Sequence, residues 1–179
     1  FFCAVSPFFF LIPPTRPSAT ESIAEGACSA CVKANFMPQP SHSPAAERNR
    51  QPILQVLQAL LPATGHALEV ASGTGQHVAW FAAALPGWTW QPSDAQAESL
   101  NSITAWCTNA GVHNVHPPVL LDVLAPQWPR SGAAFAAPFD LVYCANMLHI
   151  APWACCAGLM QGAARHLAPG GRLVTYGPY

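Results

Sequence analysis

Charge is scarce in this chain. Seven Lys plus Arg and eight Asp plus Glu make up 8% of its 179 residues and leave a formal net charge of -1. A chain so poor in charge and 51% hydrophobic packs a core instead of staying solvated, and its length allows one domain but not two. It shows no basic stripe, which argues against nucleic acid or an anionic membrane as partner.

A disulfide framework is lacking too. Cys3, Cys28, Cys31, Cys107, Cys144, Cys155 and Cys156 form an odd set without framework spacing, so they read as reduced thiols and favour a cytoplasmic location. Cys28 and Cys31 make a CxxC, but no second CxxC or His pair completes a zinc set, and no metal is expected. Cys155 and Cys156 are adjacent and read as small packing residues. Long apolar runs are missing as well: Phe8 to Ile12 falls far short of the roughly 20 residues a membrane span needs. No positive residue precedes that run and Pro13-Pro14 follow it, which argues against a secretory signal. The sequence contains no internal repeat.

What is present divides the chain. Residues 1–40 read as a flexible leader, rich in Pro, Ser, Ala and Thr between Pro13 and Pro44, and residues 41–179 as the folded domain. The chain starts at Phe1, so the working protein is expected to begin at or near Met37. From Ala45 to Pro62 the apolar residues Ile53, Leu54, Leu57, Leu60 and Leu61 recur at helical spacing.

Strands and helices then alternate. Strands are expected at Ala67–Ala71, Thr89–Gln91, Val119–Val123, Phe139–Ala145 and Leu173–Tyr176, the last after the turn Pro169-Gly170-Gly171. Helices are expected at Gln76–Leu85, Ala95–Asn109 (with Asp94 as its cap and Gly111 just beyond it) and Trp153–Leu167. Such alternation implies an α/β, Rossmann-like, doubly wound parallel sheet, with ligands bound at the carboxyl ends of the strands where the strand order reverses.

The sharpest local signal is Leu68-Glu69-Val70-Ala71-Ser72-Gly73-Thr74-Gly75-Gln76-His77, a strand running into a glycine-bearing turn that opens a helix. Gly73 and Gly75 let the backbone approach a ligand closely, and the helix start offers free N–H groups. Glu69, Asp94, Asp122 and Asn146 fall at successive strand ends, 25, 28 and 24 residues apart, so they gather along one rim of the sheet. Asp94 lies 19 residues after Gly75, the distance at which a carboxylate can accept from both ribose hydroxyls; helix capping is its structural alternative.

A dinucleotide would want a small residue where Val78 stands, and its pyrophosphate would be repelled by Glu69. Glu69 suits a ligand with a positive amino group, which favours S-adenosylmethionine.

The motifs AERNRQPIL, LEVASGTGQHVAWFA, WQPSD, FDLVYCANMLHI and LAPGGRLVTYGPY cover about three quarters of the chain. In them the chain closely resembles the methyltransferase-like 26 family, also called the domain of unknown function 938, a class I S-adenosylmethionine-dependent methyltransferase by fold. The resemblance implies that Glu69, Ser72, Gly73 and Gly75 hold the methionine part of the cofactor. It implies also that Asp94 meets the ribose and Asp122 the adenine amino group. Asn146 and His149 would face the transferring methyl, with His149 the candidate general base and Asn146 also counted among the cofactor-binding residues. Ala71 departs from the wider class, where a glycine is common.

Asn49 and Arg50 are expected to close over the cofactor from the first helix. Trp153 and Met147 are candidates for an acceptor wall, with core packing as the alternative. Members of the class usually end with a further helix and an antiparallel strand pair. The chain is therefore expected to be C-terminally truncated after five strands, with the fifth strand an exposed edge. Three readings follow, in order: methyl transfer to a small-molecule or undetermined acceptor, an S-adenosylmethionine-binding module without transfer activity, and an NAD-binding oxidoreductase.

Overall fold

Strand and helix alternate through a computed structural model that describes residues 39–130 and 132–178. Residues 1–38 of the expected leader, with Met37 and the Cys28/Cys31 pair, lie outside the described residues. Helix α1, Pro44–Leu60, opens on Ser43, whose hydroxyl accepts from the Ala46 N–H at 3.3 Å. Pro44 stands at the first helical position, where its missing N–H costs nothing. Ile53, Leu54 and Leu57 are buried, as their spacing requires, while Leu60 is exposed.

Next come β1 (Gly65–Val70), α2 (Gln76–Ala84), β2 (Trp88–Asp94), α3 (Ala97–Asn109) and β3 (Val119–Leu120). They are followed by β4 (Phe139–Ala145), α4 (Ala154–His166) and β5 (Leu167–Tyr176). The order across the sheet is β3-β2-β1-β4-β5, and every pairing is parallel. The expected doubly wound α/β sheet of five strands is the one observed.

Because β1 is central, Ala67 to Val70 are buried on both faces. On one face Ala67, Leu141 and Tyr143 pack with Ile53, Leu54 and Leu57 of α1, Phe81 of α2 and Ile103 of α3. On the other, Leu68, Val70 and Val142 pack with Leu159 and Ala163 of α4 and with Trp128. The chain runs from β1 outward to β3, then returns to add β4 on the opposite side of β1. The reversal opens a crevice at the carboxyl ends of β1 and β4.

Several boundaries differ from expectation, among them that of β3, which pairs only over Val119–Leu120 and leaves the expected Val123 end, with Asp122, in the following turn. Strand β2 continues to Asp94, with Pro92 paired to Glu69, so Pro92 does not end it. Its missing N–H is tolerated because the pairing of β2 with β3 begins only at Ser93. Strand β5 starts at Leu167 instead of Leu173: its register on β4 jumps from Phe139↔Leu167 to Leu141↔Arg172, and Pro169-Gly170-Gly171 fills the jump as a bulge. Helix α3 begins at Ala97 with Gln96 as cap, so Asp94 is free of the capping role.

Candidate active site

The turn between β1 and α2 winds through three left-handed residues, Ala71 (φ 57), Gly73 (φ 56) and Gly75 (φ 91). Ser93 of β2 ties to the turn and to β1: Ser72 N–H donates to the Ser93 carbonyl at 2.9 Å, Ser93 N–H donates to the Ser72 hydroxyl at 3.2 Å, and the Ser93 hydroxyl donates to the Glu69 carbonyl at 2.7 Å. The Gly73 N–H donates to Asp94 Oδ2 at 2.8 Å, and Asp94 Oδ1 accepts from the Gln96 N–H at 2.9 Å. Asp94 thus joins the ends of two strands, and its side chain lines the crevice.

The two glycines of the turn are required for different reasons. A Cβ on Gly75 would lie 2.5 Å from the Ile103 Cα, a backbone atom of α3, while a Cβ on Gly73 would meet nothing within 4 Å. Gly75→Ala therefore combines left-handed strain with a backbone clash and is expected to cost about 3 kcal/mol, against about 1 kcal/mol for Gly73→Ala. Chemical denaturation of the two variants measures the difference; equal losses would refute it.

A cavity of about 420 Å³ opens beside the turn at the carboxyl ends of β1 to β4. Ala71, Gly73, Asp94, Ala95, Gln96 and Asp122 form its polar side, and Met147, Ile150, Ala151, Pro152 and Cys155 its apolar side. Asp122 Oδ1 accepts from the Leu124 N–H at 2.9 Å. A separate cavity of about 340 Å³ near His66, Gln91, His116 and Phe135 includes no residue of the turn.

Glu69 ends β1 directly before the turn, is 2% exposed, and its Oε2 has no hydrogen-bond partner. Burial pushes its carboxyl up to about 7, a shift eased by the Ser72 hydroxyl and reinforced by the Asp94 carboxylate. It does not line the cavity. Asn146 adopts φ 61 and donates its N–H to the Tyr176 carbonyl at 2.7 Å. His149 is exposed beside Gly177, where an added Cβ would lie 3.2 Å from its Nδ1.

Asn49 and Arg50 are engaged within α1 and against α2. Asn49 is buried with Oδ1 2.7 Å from His77 Nε2, and Arg50 is held 2.5 Å from Glu47 with its guanidinium 4.0 Å from the Trp80 ring centroid. Neither is among the cavity-lining residues. Met147 lines the cavity, whereas Trp153 is 80% exposed and belongs to neither core nor cavity wall.

Sequence reasoning missed Ala95, Gln96, Leu121 and Val123, though each neighbours an acidic residue it had placed at a strand end. Among the described residues Cys107, Cys144, Cys155 and Cys156 are free thiols. No group of three or more His, Cys, Asp or Glu is gathered for a metal among the described residues, and none of their helices is long and apolar enough to cross a membrane.

A family described as a protein of unknown function, DUF938, matches residues 40–179. The chain belongs to the DUF938 family. Its fold recurs in solved structures. A candidate methyltransferase from Bacillus halodurans C-125 is 26% identical with a TM-score of 0.55, the match covering 68% of this chain and 49% of that one. An S-adenosylmethionine-dependent methyltransferase from Geobacter sulfurreducens, in complex with S-adenosyl-L-homocysteine, is 18% identical with a TM-score of 0.55, over 77% of this chain and 51% of the other. The PKMT2 protein of Rickettsia typhi, also complexed with S-adenosylhomocysteine, is 17% identical with a TM-score of 0.53, over 64% of this chain and 21% of its own. The DUF938 chain thus spans about half or less of the length of the proteins it resembles.

Proposed function

We propose that this DUF938 chain binds S-adenosylmethionine in the crevice beside Gly73 and supports methyl transfer to a small-molecule or otherwise undetermined acceptor. The observation that carries the reading is the pairing of Asp94 with the Gly73 N–H at the rim of a 420 Å³ cavity. The donor set fits an adenosyl amino acid. Asp94 and Asp122 present carboxylates to the cavity, Gly73 leaves open the space that a Cβ would fill, and Glu69 keeps a buried oxygen without a partner.

S-adenosylmethionine, when bound, supplies a methyl group activated by its sulfonium. The chain's own part is to bind and align. Asp94 would accept from the ribose hydroxyls and Asp122 from the adenine amino group, while Ser72, Gly73 and Gly75 shape the turn around the methionine part. Glu69 would balance a positive amino group. Met147, Ile150 and Ala151 keep water from the apolar side. His149 follows Met147 in the loop after β4, and its exposed imidazole would take the proton of a nitrogen or oxygen acceptor.

Calorimetric titration of the full chain with S-adenosylmethionine and S-adenosylhomocysteine, with NAD as control, tests the reading. Micromolar binding of the first two is expected. Silence with both would refute it, and binding of NAD alone would replace it with a dinucleotide site.

A further inference from the structure

We propose that Gln76 is a positioning residue that latches the cofactor turn to the chain segment Ser41–Glu47, and that this latch sets cofactor affinity. The inference rests on the reading of the turn as an S-adenosylmethionine site.

Gly73 and Gly75 give the turn wide backbone freedom, and a free turn must be ordered each time a ligand binds. The structure removes that freedom from outside the β1–α2 unit. Thr74, between the two glycines, is gripped from both sides. Its hydroxyl donates to Gln76 Oε1 at 3.1 Å, and its carbonyl accepts from the Ser102 hydroxyl at 2.8 Å.

The Gln76 carboxamide is buried and uses both its ends. Oε1 also accepts from the Ser43 N–H at 2.5 Å, and Nε2 donates to Glu47 Oε2 at 3.3 Å. Glu47 is held in turn by Arg50, which lies over Trp80. Ser102 makes a second rivet: its hydroxyl accepts from the Ser41 N–H at 2.8 Å, while Trp106 Nε1 donates to the Ser41 carbonyl at 2.7 Å. Position 76 needs an acceptor facing Ser43 and Thr74 and a donor facing Glu47, which a primary amide provides and a carboxylate does not.

Gln76→Glu keeps the shape and the acceptor but sets a carboxylate against Glu47. Calorimetry is expected to show S-adenosylhomocysteine bound about tenfold more weakly. Hydrogen exchange of the ligand-free protein is expected to show faster exchange at residues 73–76. The double variant Gln76→Glu with Glu47→Gln restores one donor and one acceptor in reversed direction, and affinity is expected to return to within about threefold of wild type.

If Gln76→Glu does not fold, Ser102→Ala, which removes the second rivet without adding charge, carries the same two readouts. Unchanged affinity and exchange, or a loss that the double variant does not recover, would overturn the latch. A network that serves stability alone would lower the melting temperature with affinity intact, which also overturns it. If the wild-type chain binds no S-adenosylhomocysteine, the cofactor reading fails, and the exchange measurement still decides whether Gln76 holds the turn.

Discussion

Asp94→Ala is expected to weaken S-adenosylhomocysteine binding about 10- to 100-fold and to destabilise the ligand-free protein as well. Two losses combine in it. The substitution leaves the backbone N–H groups of Gly73 and Gln96 without their partner at a site where Asp94 itself is 7% exposed, and orphaned buried donors cost about 1–3 kcal/mol each. It also removes the carboxylate proposed to accept from the ribose hydroxyls, worth about 1.5–3 kcal/mol for a charged acceptor. The first loss falls on the free and the bound protein alike and lowers stability; the second lowers affinity and, at about 1.4 kcal/mol per tenfold, amounts to about 10- to 100-fold. Asp94→Asn keeps one acceptor and is expected to fall between the two proteins. Calorimetric titration of the three decides it; affinity within threefold of wild type in Asp94→Ala would remove Asp94 from the site.

Glu69→Gln is expected to stabilise the ligand-free protein by about 3 kcal/mol above pH 7 and to change the shape of its pH profile. The Glu69 carboxyl is raised from 4.5 to about 7 in the fold, so its favourable contribution is complete below pH 4.5 and is lost as pH rises through 7. His77 works in the opposite sense. Burial lowers its imidazole from 6.5 to about 4, so its contribution is complete above pH 6.5 and is lost as pH falls through 4.

Between pH 4.5 and 6.5 the two slopes oppose each other, and wild-type stability is expected to be nearly flat. Removing the Glu69 charge exposes the His77 slope alone, with stability rising from pH 4 to 6.5 and then level. Denaturation at pH 5, 6.5 and 8 measures this, and a Glu69→Gln profile that parallels wild type would refute it. A buried carboxylate that weakens the fold is the kind of cost a binding site retains for its ligand.

Much of the fold was legible because the signals were local. The alternation of apolar runs with helical periods gave the parallel sheet, and the run from Glu69 to Gly75 marked the turn that sits at its reversal point. Boundaries failed where a tertiary partner overruled a local breaker. Pro92 ends no strand because it has no N–H to offer and no β3 partner stands opposite it, and Gly170-Gly171 interrupts β5 only as a bulge against β4.

In the site, the carboxylates at positions 94 and 122 were legible because a strand's end places them, and both line the cavity. For Asn49 and Arg50 helical spacing sets a face but not its neighbour: His77 and Trp80 meet them from α2. The latch was out of reach of any local pattern. Ser41 and Ser102 stand 61 residues apart, and Ser43 and Gln76 33 apart.

The central place of β1 has a consequence during synthesis. Its pairing with β4 brings together His66 and Asp140, 74 residues apart, so one flank of this apolar strand stays open while the intervening chain is made. Contacts of such long separation slow folding, because the loop between them must close before any pairing repays it. The half from β1 to β3 would condense first on the ribosome, and the arrival of β4 both shields its edge and completes the crevice.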